Sequence, residues 1–201
     1  SELLTTCDDQ EEKEEYAGII LSNNELLLRL INDILDLSKI ESGVLDRKCE
    51  QFNLTKVSGE LYTTILPKVT NSAVEFSMDD SSPNCLVLLD RSRLKQVWMN
   101  FLTNAVKCTK AGHIKMGYSI EGKGIRIYVE DTGVGIPEEK HDKVFARFEK
   151  LNEFAQGTGL GLTISKAIVE SAGGKVGFTS TPGVGSTFWA WFPCSPELVE
   201  Q

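Results

Sequence analysis

Histidine, cysteine and basic residues are scarce in this chain. It has two histidines in 201 residues, and its five cysteines are scattered, at Cys7, Cys49, Cys85, Cys108 and Cys194. An odd number of cysteines with no C-x-x-C spacing does not suggest a zinc site or a redox pair, and it fits a reducing, cytosolic setting. Lys and Arg number 21 against 29 Asp and Glu, which gives a net charge of −8. Long-range attraction to nucleic acid is therefore not expected.

Long apolar runs are also missing. No stretch approaches the roughly 18 apolar residues that span a bilayer, and the first residues lack the charged and apolar regions of a signal peptide. The composition, with 41% hydrophobic and 25% charged residues, is that of a folded protein. We therefore expect the chain as given to be soluble.

A heptad pattern occupies the first part of the chain. Its positions follow at alternating steps of four and three, at Tyr16, Ile20, Asn23, Leu27, Leu30, Ile34 and Leu37. A helix over Gln10–Glu41 would be about 48 Å long, and a helix of that length needs partner helices. Ile19, Leu26 and Leu35 widen the apolar face, which favours a four-helix bundle, with Asn23 fixing the register. The alternative is a lone helix packed on its own domain.

The pattern changes after Gly43, a suitable helix C-cap, and we place a domain boundary between residues 47 and 48. The following sequence predicts a helix over residues 54–70, short strands in "EFSMDD" and "CLVLLD", and a helix with Asp90 as N-cap. Paired strands in "HIKMGYSI" and "GIRIYVED", a helix over residues 160–172 and a final hairpin complete the chain. The predicted fold class is therefore an α/β or α+β sandwich.

Three polar residues flank the apolar face of the predicted helix "RSRLKQVWMNFLTNAVKCT". Asn100, Asn104 and Lys107 fall within about 60° of one another at 100° per residue. Carboxamide oxygens suit Mg²⁺, which keeps water and phosphate oxygens for its other positions, and a lysine can neutralise phosphate charge. Taken alone, such residues are more often solvated surface.

The stretch "VEDTGVGIP" follows an alternating strand. Gly133 and Gly135 let the backbone turn close to a ligand, and Asp131 stands at the strand end. An ionised carboxylate accepts hydrogen bonds and cannot donate them, so it suits the amino group of adenine and would repel the carbonyl oxygen of guanine. The alternative is a plain Asp-Thr-Gly turn.

Alternate glycines precede the last predicted helix in "AQGTGLGLTISKAIVE". Gly157, Gly159 and Gly161 offer backbone N–H groups, and a helix beginning near Leu160 adds its positive dipole end, which favours a phosphate chain. No G-K-[ST] follows, so this is not a Walker sequence, and glycines used for tight packing are the alternative. Each of the three motifs is weak evidence by itself, but together, in this order, they strongly indicate one nucleotide-binding site.

In these motifs the chain resembles the sensor histidine kinases of two-component systems, whose ATP-binding domain belongs to the GHKL superfamily. "QVWMNFLTNAVKCT" is similar to the N box of that family, "DTGVGIP" to its G1 box, "VFARF" to its F box and "GTGLGL" to its G2 box. "LLLRLINDILDLSKIESG" is similar to the second helix of the dimerisation and phosphoacceptor hairpin. The resemblance implies a partial hairpin domain over residues 1–47. It also implies a catalytic domain of the GHKL, or Bergerat, type over residues 48–201, with a mixed sheet covered on one face by helices.

The resemblance also implies roles for single residues. Asn104 would hold Mg²⁺, Asp131 would bind the adenine amino group, and Asn100, Lys107 and Lys150 would act on the phosphates. The pocket for ATP or ADP would comprise Asn104, Asp131, Gly133, Gly135, Phe145, Phe148, Gly157, Thr158, Gly159, Leu160, Gly161 and Thr187. Phe145 and Phe148 would anchor a mobile ATP lid over residues 138–156. Lys150 replaces an arginine of many relatives, and Cys108 replaces an aromatic residue.

In the family the phosphate passes to a histidine in a motif resembling S-H-E-x-R-T-P. His113 and His141 lack that context, and we expect both to be ordinary surface residues. We therefore expect the chain to begin just after its phosphoacceptor, to bind ATP or ADP with Mg²⁺, and not to label itself on histidine. The resemblance further implies a homodimer through the hairpin, a response-regulator receiver domain as phosphate acceptor, and a cytoplasmic location in a membrane-anchored sensor.

Two other functions remain open from the sequence. A GHKL ATPase of the gyrase or chaperone kind would carry a catalytic glutamate at the position of Asn100, so Asn100 favours transfer to a separate acceptor. A non-enzymatic nucleotide-binding or dimerisation module would keep the pocket and lose turnover.

Overall fold

A computed structural model describes residues 10–42, 48–149 and 159–199. Its first element is helix α1, Gln10–Glu41, with the length that the heptad pattern predicts. The remaining elements form an α/β unit over residues 49–198, which we call the sandwich. Among the described residues no helix combines the length and the apolar character that crossing a bilayer requires.

In the part of the sandwich that the structure describes there are two sheets and three α-helices. Strands β1 (Cys49–Asn53), β3 (Cys85–Asp90) and β8 (Glu197–Leu198) form an antiparallel sheet in the order β1-β3-β8. Strands β2 (Val74–Met78), β4 (Gly112–Ile120), β5 (Gly124–Asp131), β7 (Gly185–Pro193) and β6 (Lys175–Thr181) form a five-stranded sheet in that order. The β2–β4 pair is parallel and the others are antiparallel. The predicted mixed sheet is confirmed.

Helices α2 (Leu54–Ile65), α3 (Arg91–Cys108) and α4 (Gly161–Ser171) cover one face of the five-stranded sheet. Alternate residues of the central strands, such as Ile125, Ile127 and Val129, point into the core beneath them. Trp98 of α3 is fully buried there, and its indole N–H donates to the carbonyl of Tyr128 at 3.2 Å. This packing fixes α3 against the strand that ends at Asp131.

One helix end predicted from the sequence needs correction, and the sequence analysis missed two strands. Helix α2 ends at Ile65 rather than at residue 70, because Pro67 lies in the short 3-10 helix Leu66–Lys68 that follows. Strands β1 and β8 were not predicted. Both belong to the small sheet, where pairing with β3 rather than a strong alternating pattern makes them strands.

The opposite face of the five-stranded sheet carries a row of aromatic residues and glycines. The strand register places Gly117, Tyr128, Trp189 and Gly177 side by side across β4, β5, β7 and β6. A Cβ atom on Gly177 would overlap the Trp189 ring, and one on Gly117 would lie 2.6 Å from the Tyr128 hydroxyl. The rings of this row therefore lie over the glycines next to them.

Helix α1 packs against α4 of the sandwich through part of its heptad seam. Leu37 is buried and Leu30 is partly buried, whereas Leu27 and Ile34 are 55% and 52% exposed. The carboxamide of Asn23 donates to the carbonyl of Ile19 in its own helix, at 2.9 Å. One side of the seam is therefore used within the chain, and the other side is exposed.

Candidate functional site

Asp131 is the last residue of β5, and its side chain turns into the sandwich. Its exposed fraction is 6%, and its carboxylate accepts hydrogen bonds from the backbone N–H groups of Gly133, at 2.8 Å, and Ser186. Burial raises the pKa of this carboxyl group, and the two backbone donors offset the rise in part. A buried acid whose partners are backbone N–H groups keeps lone pairs for a ligand that donates.

The turn after Asp131 is held close to its neighbours. A Cβ atom on Gly133 would lie 2.6 Å from the carbonyl oxygen of Cys108 and 2.7 Å from the Asp131 carboxylate. Gly135 has a φ of +67°, and a Cβ there would overlap the carbonyl of Thr181. Both glycines therefore fit close contacts within the chain, which bring the turn against the C-terminal end of α3. Their predicted approach to a ligand stays a prediction.

The three polar residues of α3 have different surroundings. Asn100 is half-buried and donates from its amide to the carbonyl of Gly161 at 3.0 Å and to the hydroxyl of Ser165 at 3.1 Å. Asn104, one turn later, is half-buried and has no hydrogen-bond partner within the described ranges. Lys107 is exposed in the last turn. Asn100 therefore ties α3 to α4, whereas the predicted role of Asn104 toward Mg²⁺ stays a prediction.

The N-terminal end of α4 and the F-box residues meet. Gly159 has a φ of +70°, and its carbonyl accepts a hydrogen bond from the Phe148 N–H at 3.1 Å. Phe148 is 64% exposed and has a φ of +59°, which is uncommon for a bulky residue. Leu160 is fully buried as the N-cap residue, and α4 begins at Gly161. The predicted Lys150, Gly157 and Thr158 lie outside the described residues.

Phe145 is held by contacts with α4 and β6. The hydroxyl of Thr163 bonds to the carbonyls of Phe145 and Ala146 at 3.1 and 3.0 Å, and the Phe145 ring packs on Phe178 with centroids 6.0 Å apart. His141 also packs on Phe178, at 5.0 Å, with Nε2 3.0 Å from the carbonyl of Ile136. Both histidines are half-buried. The His113 side chain is 44% exposed and lies 3.3 Å from Glu130, and His141 is part of this packing.

The final hairpin brings Ser186, not Thr187, beside Asp131. In the β5–β7 register Asp131 pairs with Ser186, and Thr187 pairs with Glu130, so Thr187 lies on the opposite face of the sheet. The Ser186 hydroxyl lies 2.9 Å from that of Ser180, which accepts from the Ile136 N–H at 2.8 Å. The alternating buried residues Phe188, Ala190 and Phe192 in the sequence indicate this parity and could have identified Ser186.

These groups define a class of protein: an α/β sandwich with a buried acid at a strand end, glycine turns beside it, and a helix N-terminus facing a carboxamide. Two segments match known families. Residues 89–196 match the family described as "Histidine kinase-, DNA gyrase B-, and HSP90-like ATPase", and residues 1–43 match the "His Kinase A (phospho-acceptor) domain". The chain belongs to the histidine kinase-, gyrase B- and HSP90-like ATPase family, and the resemblance to sensor histidine kinases is confirmed.

Similar proteins agree with this assignment. The circadian input-output histidine kinase CikA of Synechococcus elongatus is 37% identical over 190 residues, which are 91% of this chain and 25% of that protein. The crystal structure of full-length ShkA in complex with AMPPNP superposes with a TM-score of 0.84 at 28% identity, over 98% of this chain and 42% of that one. The crystal structure of histidine kinase ThkA in complex with the response regulator protein TrrA gives a TM-score of 0.74 at 28% identity. The match covers 93% of this chain and 53% of that one. The chain spans about a quarter of the length of the curated relatives it matches.

Proposed function

We propose that the chain is the catalytic part of a histidine kinase, which binds ATP or ADP with Mg²⁺ and transfers the γ-phosphate of ATP to a histidine of the phosphoacceptor hairpin. The observation that carries this proposal is the buried Asp131 carboxylate. Its hydrogen-bond partners among the described residues are backbone N–H groups. Such an acceptor selects a base that presents an amino group, as adenine does. The AMPPNP in the ShkA structure supports the same ligand class.

The phosphates would lie between α3 and the N-terminal end of α4. The first backbone N–H groups of α4 carry partial positive charge, and Lys107 at the end of α3 adds a full charge. Asn100 positions this end of α4 through its bond to Gly161. We also assign Phe148, Gly159, Leu160 and Gly161, together with Gly157, Thr158 and Lys150, to the phosphate side of the pocket.

Asn104 fits a Mg²⁺ ligand, because its carboxamide is half-buried and has no partner in the described part of the chain. Mg²⁺ accepts few protein ligands and takes its others from water and phosphate, so one carboxamide is sufficient. When bound, the ion neutralises charge on the transferred phosphoryl group. The task of the protein is then to hold the nucleotide in line with an acceptor.

The partners follow from the same proposal. We assign residues 1–47 to the hairpin domain and residues 48–201 to the catalytic domain, and the matches at 1–43 and 89–196 support that division. The exposed side of α1 would be covered by the first helix of the hairpin and by a second copy in a homodimer. The ThkA–TrrA complex supports a response regulator as the downstream acceptor. We place the chain on the cytoplasmic side of a membrane-anchored sensor.

Calorimetric titration with ADP and Mg²⁺ tests the binding site. In the Asp131→Ala variant we expect affinity to fall about 10- to 100-fold, because a hydrogen bond to a charged acceptor is lost. Glu130→Gln is the matched control, since it removes the same charge from the neighbouring residue on the opposite face. It should leave affinity within about twofold. Equal losses in both variants, or no binding by the parent chain, would contradict the proposal.

A further inference from the structure

A row of polar residues crosses the end of the five-stranded sheet at the candidate site. In the strand register Asp131 of β5 pairs with Ser186 of β7, and Ser186 pairs with Ser180 of β6. The Ser186 N–H donates to the Asp131 carboxylate, and the hydroxyl oxygens of Ser186 and Ser180 lie 2.9 Å apart. The row therefore leads from the candidate base-binding acid to β6, which is an edge strand of this sheet.

The Ser180 hydroxyl joins this row to the chain that follows the glycine turn. It donates to the carbonyl of Gly185 at 3.0 Å and accepts from the Ile136 N–H at 2.8 Å. Because a hydroxyl has one proton, the Ser186 hydroxyl is the donor in the contact between the two serines. The proton and both lone pairs of Ser180 are then in use, and one of these three bonds holds Ile136.

Ile136 depends on this side chain for a backbone hydrogen bond. The residue is 4% exposed, and a buried backbone N–H needs an acceptor. The chain just before it is held by a backbone bond, since the Val134 carbonyl accepts from the Gly183 N–H at 2.8 Å. At Ile136 the described acceptor is instead the Ser180 hydroxyl, so a single side chain fixes the start of the residues that follow.

Segment 136–149 runs from the acid to the proposed phosphate side of the pocket. The middle of the segment packs on β6, where the Phe145 ring contacts Phe178 with centroids 6.0 Å apart. At its far end the Phe148 N–H donates to the carbonyl of Gly159, beside the start of α4, at 3.1 Å. A shift at the beginning of the segment therefore acts on the group of residues to which we assign the phosphates.

From these contacts we propose that Ser180 is a positioning residue, which makes the placement of segment 136–149 depend on a nucleotide bound at Asp131. The inference rests on the proposed function, in which the adenine amino group donates to Asp131. A ligand there holds the end of β5 and the Ser186 backbone in place, and Ser180 carries this constraint to Ile136. Loss of the Ser180 hydroxyl should therefore change the segment more than it changes nucleotide affinity.

Amide exchange of Ile136 measures the central bond directly. In Ser180→Ala the Ile136 N–H loses its acceptor, and its exchange rate in nuclear magnetic resonance spectra should rise at least about tenfold. Ser180→Thr keeps a hydroxyl and should return the rate to within about threefold of the parent. Thr179→Val is the matched control, because it removes a hydroxyl from the exposed neighbouring residue on the opposite face of β6, and it should leave the rate unchanged.

The coupling is measured by repeating the exchange with ADP and Mg²⁺. In the parent chain ADP should slow exchange at Gly133, whose N–H bonds to Asp131, and also over segment 136–149. In Ser180→Ala the protection of Gly133 should remain and that of the segment should be largely lost, with the calorimetric Kd within about threefold of the parent. Protection of Gly133 without the segment in the parent chain, or equal losses in Thr179→Val, would overturn the proposal.

The third readout is histidine phosphorylation by the kinase that contains this chain and its acceptor helix. Ser180→Ala should lower kcat about tenfold and leave KM for ATP within about threefold, because the phosphate side loses its placement and the base keeps its acceptor. An unchanged kcat, or a loss confined to KM, would contradict the positioning role. Absence of ADP binding by the parent chain would contradict the proposed function and this inference together, whereas normal binding with unaltered exchange in Ser180→Ala would contradict this inference alone.

Discussion

Two aspartates near opposite ends of α3 have pKa values shifted in opposite directions. Asp131, beside the C-terminal end, is 6% exposed, and burial raises its pKa despite two backbone donors. Asp36, held at the N-terminal end, is also desolvated, but bonds to Arg93 and Gln96 and the charge of Arg93 together hold its pKa below the ordinary value. The partners decide the direction of each pKa shift. Both carboxylates lose water, which raises the pKa, but only Asp36 gains a cation beside it, which lowers the pKa.

The comparison separates two uses of a carboxylate. Asp36 is satisfied by side chains of its own chain, so its ionised form stabilises the packing of α1 on the sandwich. Asp131 accepts hydrogen bonds from two backbone N–H groups and is otherwise shielded from water. A ligand that donates a further hydrogen bond would replace the water that burial removes. The following changes act on one end and should leave the other unaffected.

The largest effect is expected from Gly185→Ala at the Asp131 end. Gly185 has a φ of +140°, and a Cβ atom there would overlap the carbonyl of Asp131. The free energy of unfolding should fall by more than about 3 kcal/mol in urea titrations. Gly183→Ala in the same turn is the control, since Gly183 has a φ of +75° but nothing within 4 Å. It should cost about 1 kcal/mol, and similar losses in the two variants would contradict the contact.

The same substitution at two positions of α3 should give different results. Asn100→Asp removes the amide that donates to Gly161 and Ser165 and places a carboxylate beside the Gly161 carbonyl. It should reduce the free energy of unfolding by about 2 kcal/mol. Asn104→Asp, where no described partner is lost, should change it by less than about 0.5 kcal/mol. A larger loss at Asn104 would show that this residue is structural rather than available to Mg²⁺.

A smaller effect is expected where Arg93 and Gln96 of α3 bond to Asp36 of α1. A double-mutant cycle of Asp36→Asn and Arg93→Gln should give a coupling of about 1–2 kcal/mol in unfolding measurements, since the pair is bidentate and largely buried. The corresponding cycle of Glu60→Gln and Arg91→Gln should give less than about 0.5 kcal/mol, because those side chains are 42% and 38% exposed. Equal couplings would remove the distinction between the two pairs.

The mildest test changes pH alone. As pH falls, Asp131 takes up its proton at a higher pH than an exposed aspartate, because its pKa is raised, and ADP affinity should decline there. The stabilisation by Asp36 is complete above the pKa of the unfolded chain and is lost only as pH falls through its lower folded pKa. Calorimetric titration with ADP, and unfolding measurements on the parent chain and its Asp36→Asn variant, across one pH series would test this order. Loss of the Asp36 stabilisation at a higher pH than loss of ADP binding would contradict it.

Much of the site could be predicted from local sequence. The strand end at Asp131, the close-approach glycines of the following turn and the start of α4 depend on neighbouring residues, and pattern reasoning found them. Thr187 shows the limit of motif matching, because strand parity rather than proximity in sequence selects the face on which Ser186 meets Asp131.

The pairing of Asp36 with Arg93 could not be predicted in this way. Asp36 and Arg93 are 57 positions apart, and each looks like an ordinary charged residue on an amphipathic helix. Their pairing depends on the tertiary position of α1. The bonding of Asn100 to α4 is likewise a contact across 61 positions, which helical spacing within α3 does not reveal.

The row of Gly117, Tyr128, Trp189 and Gly177 also bears on solubility. A two-layer fold leaves one broad face of its sheet without helices. Here the Trp189 ring and the hydroxyl end of Tyr128 lie close to residues that have no side chain, with the Arg126 guanidinium 4.4 Å from the centre of the Trp189 ring. The face thus shields its own backbone and presents a charged group outward. Larger residues at Gly117 and Gly177 would displace these rings and expose more apolar surface, which favours aggregation.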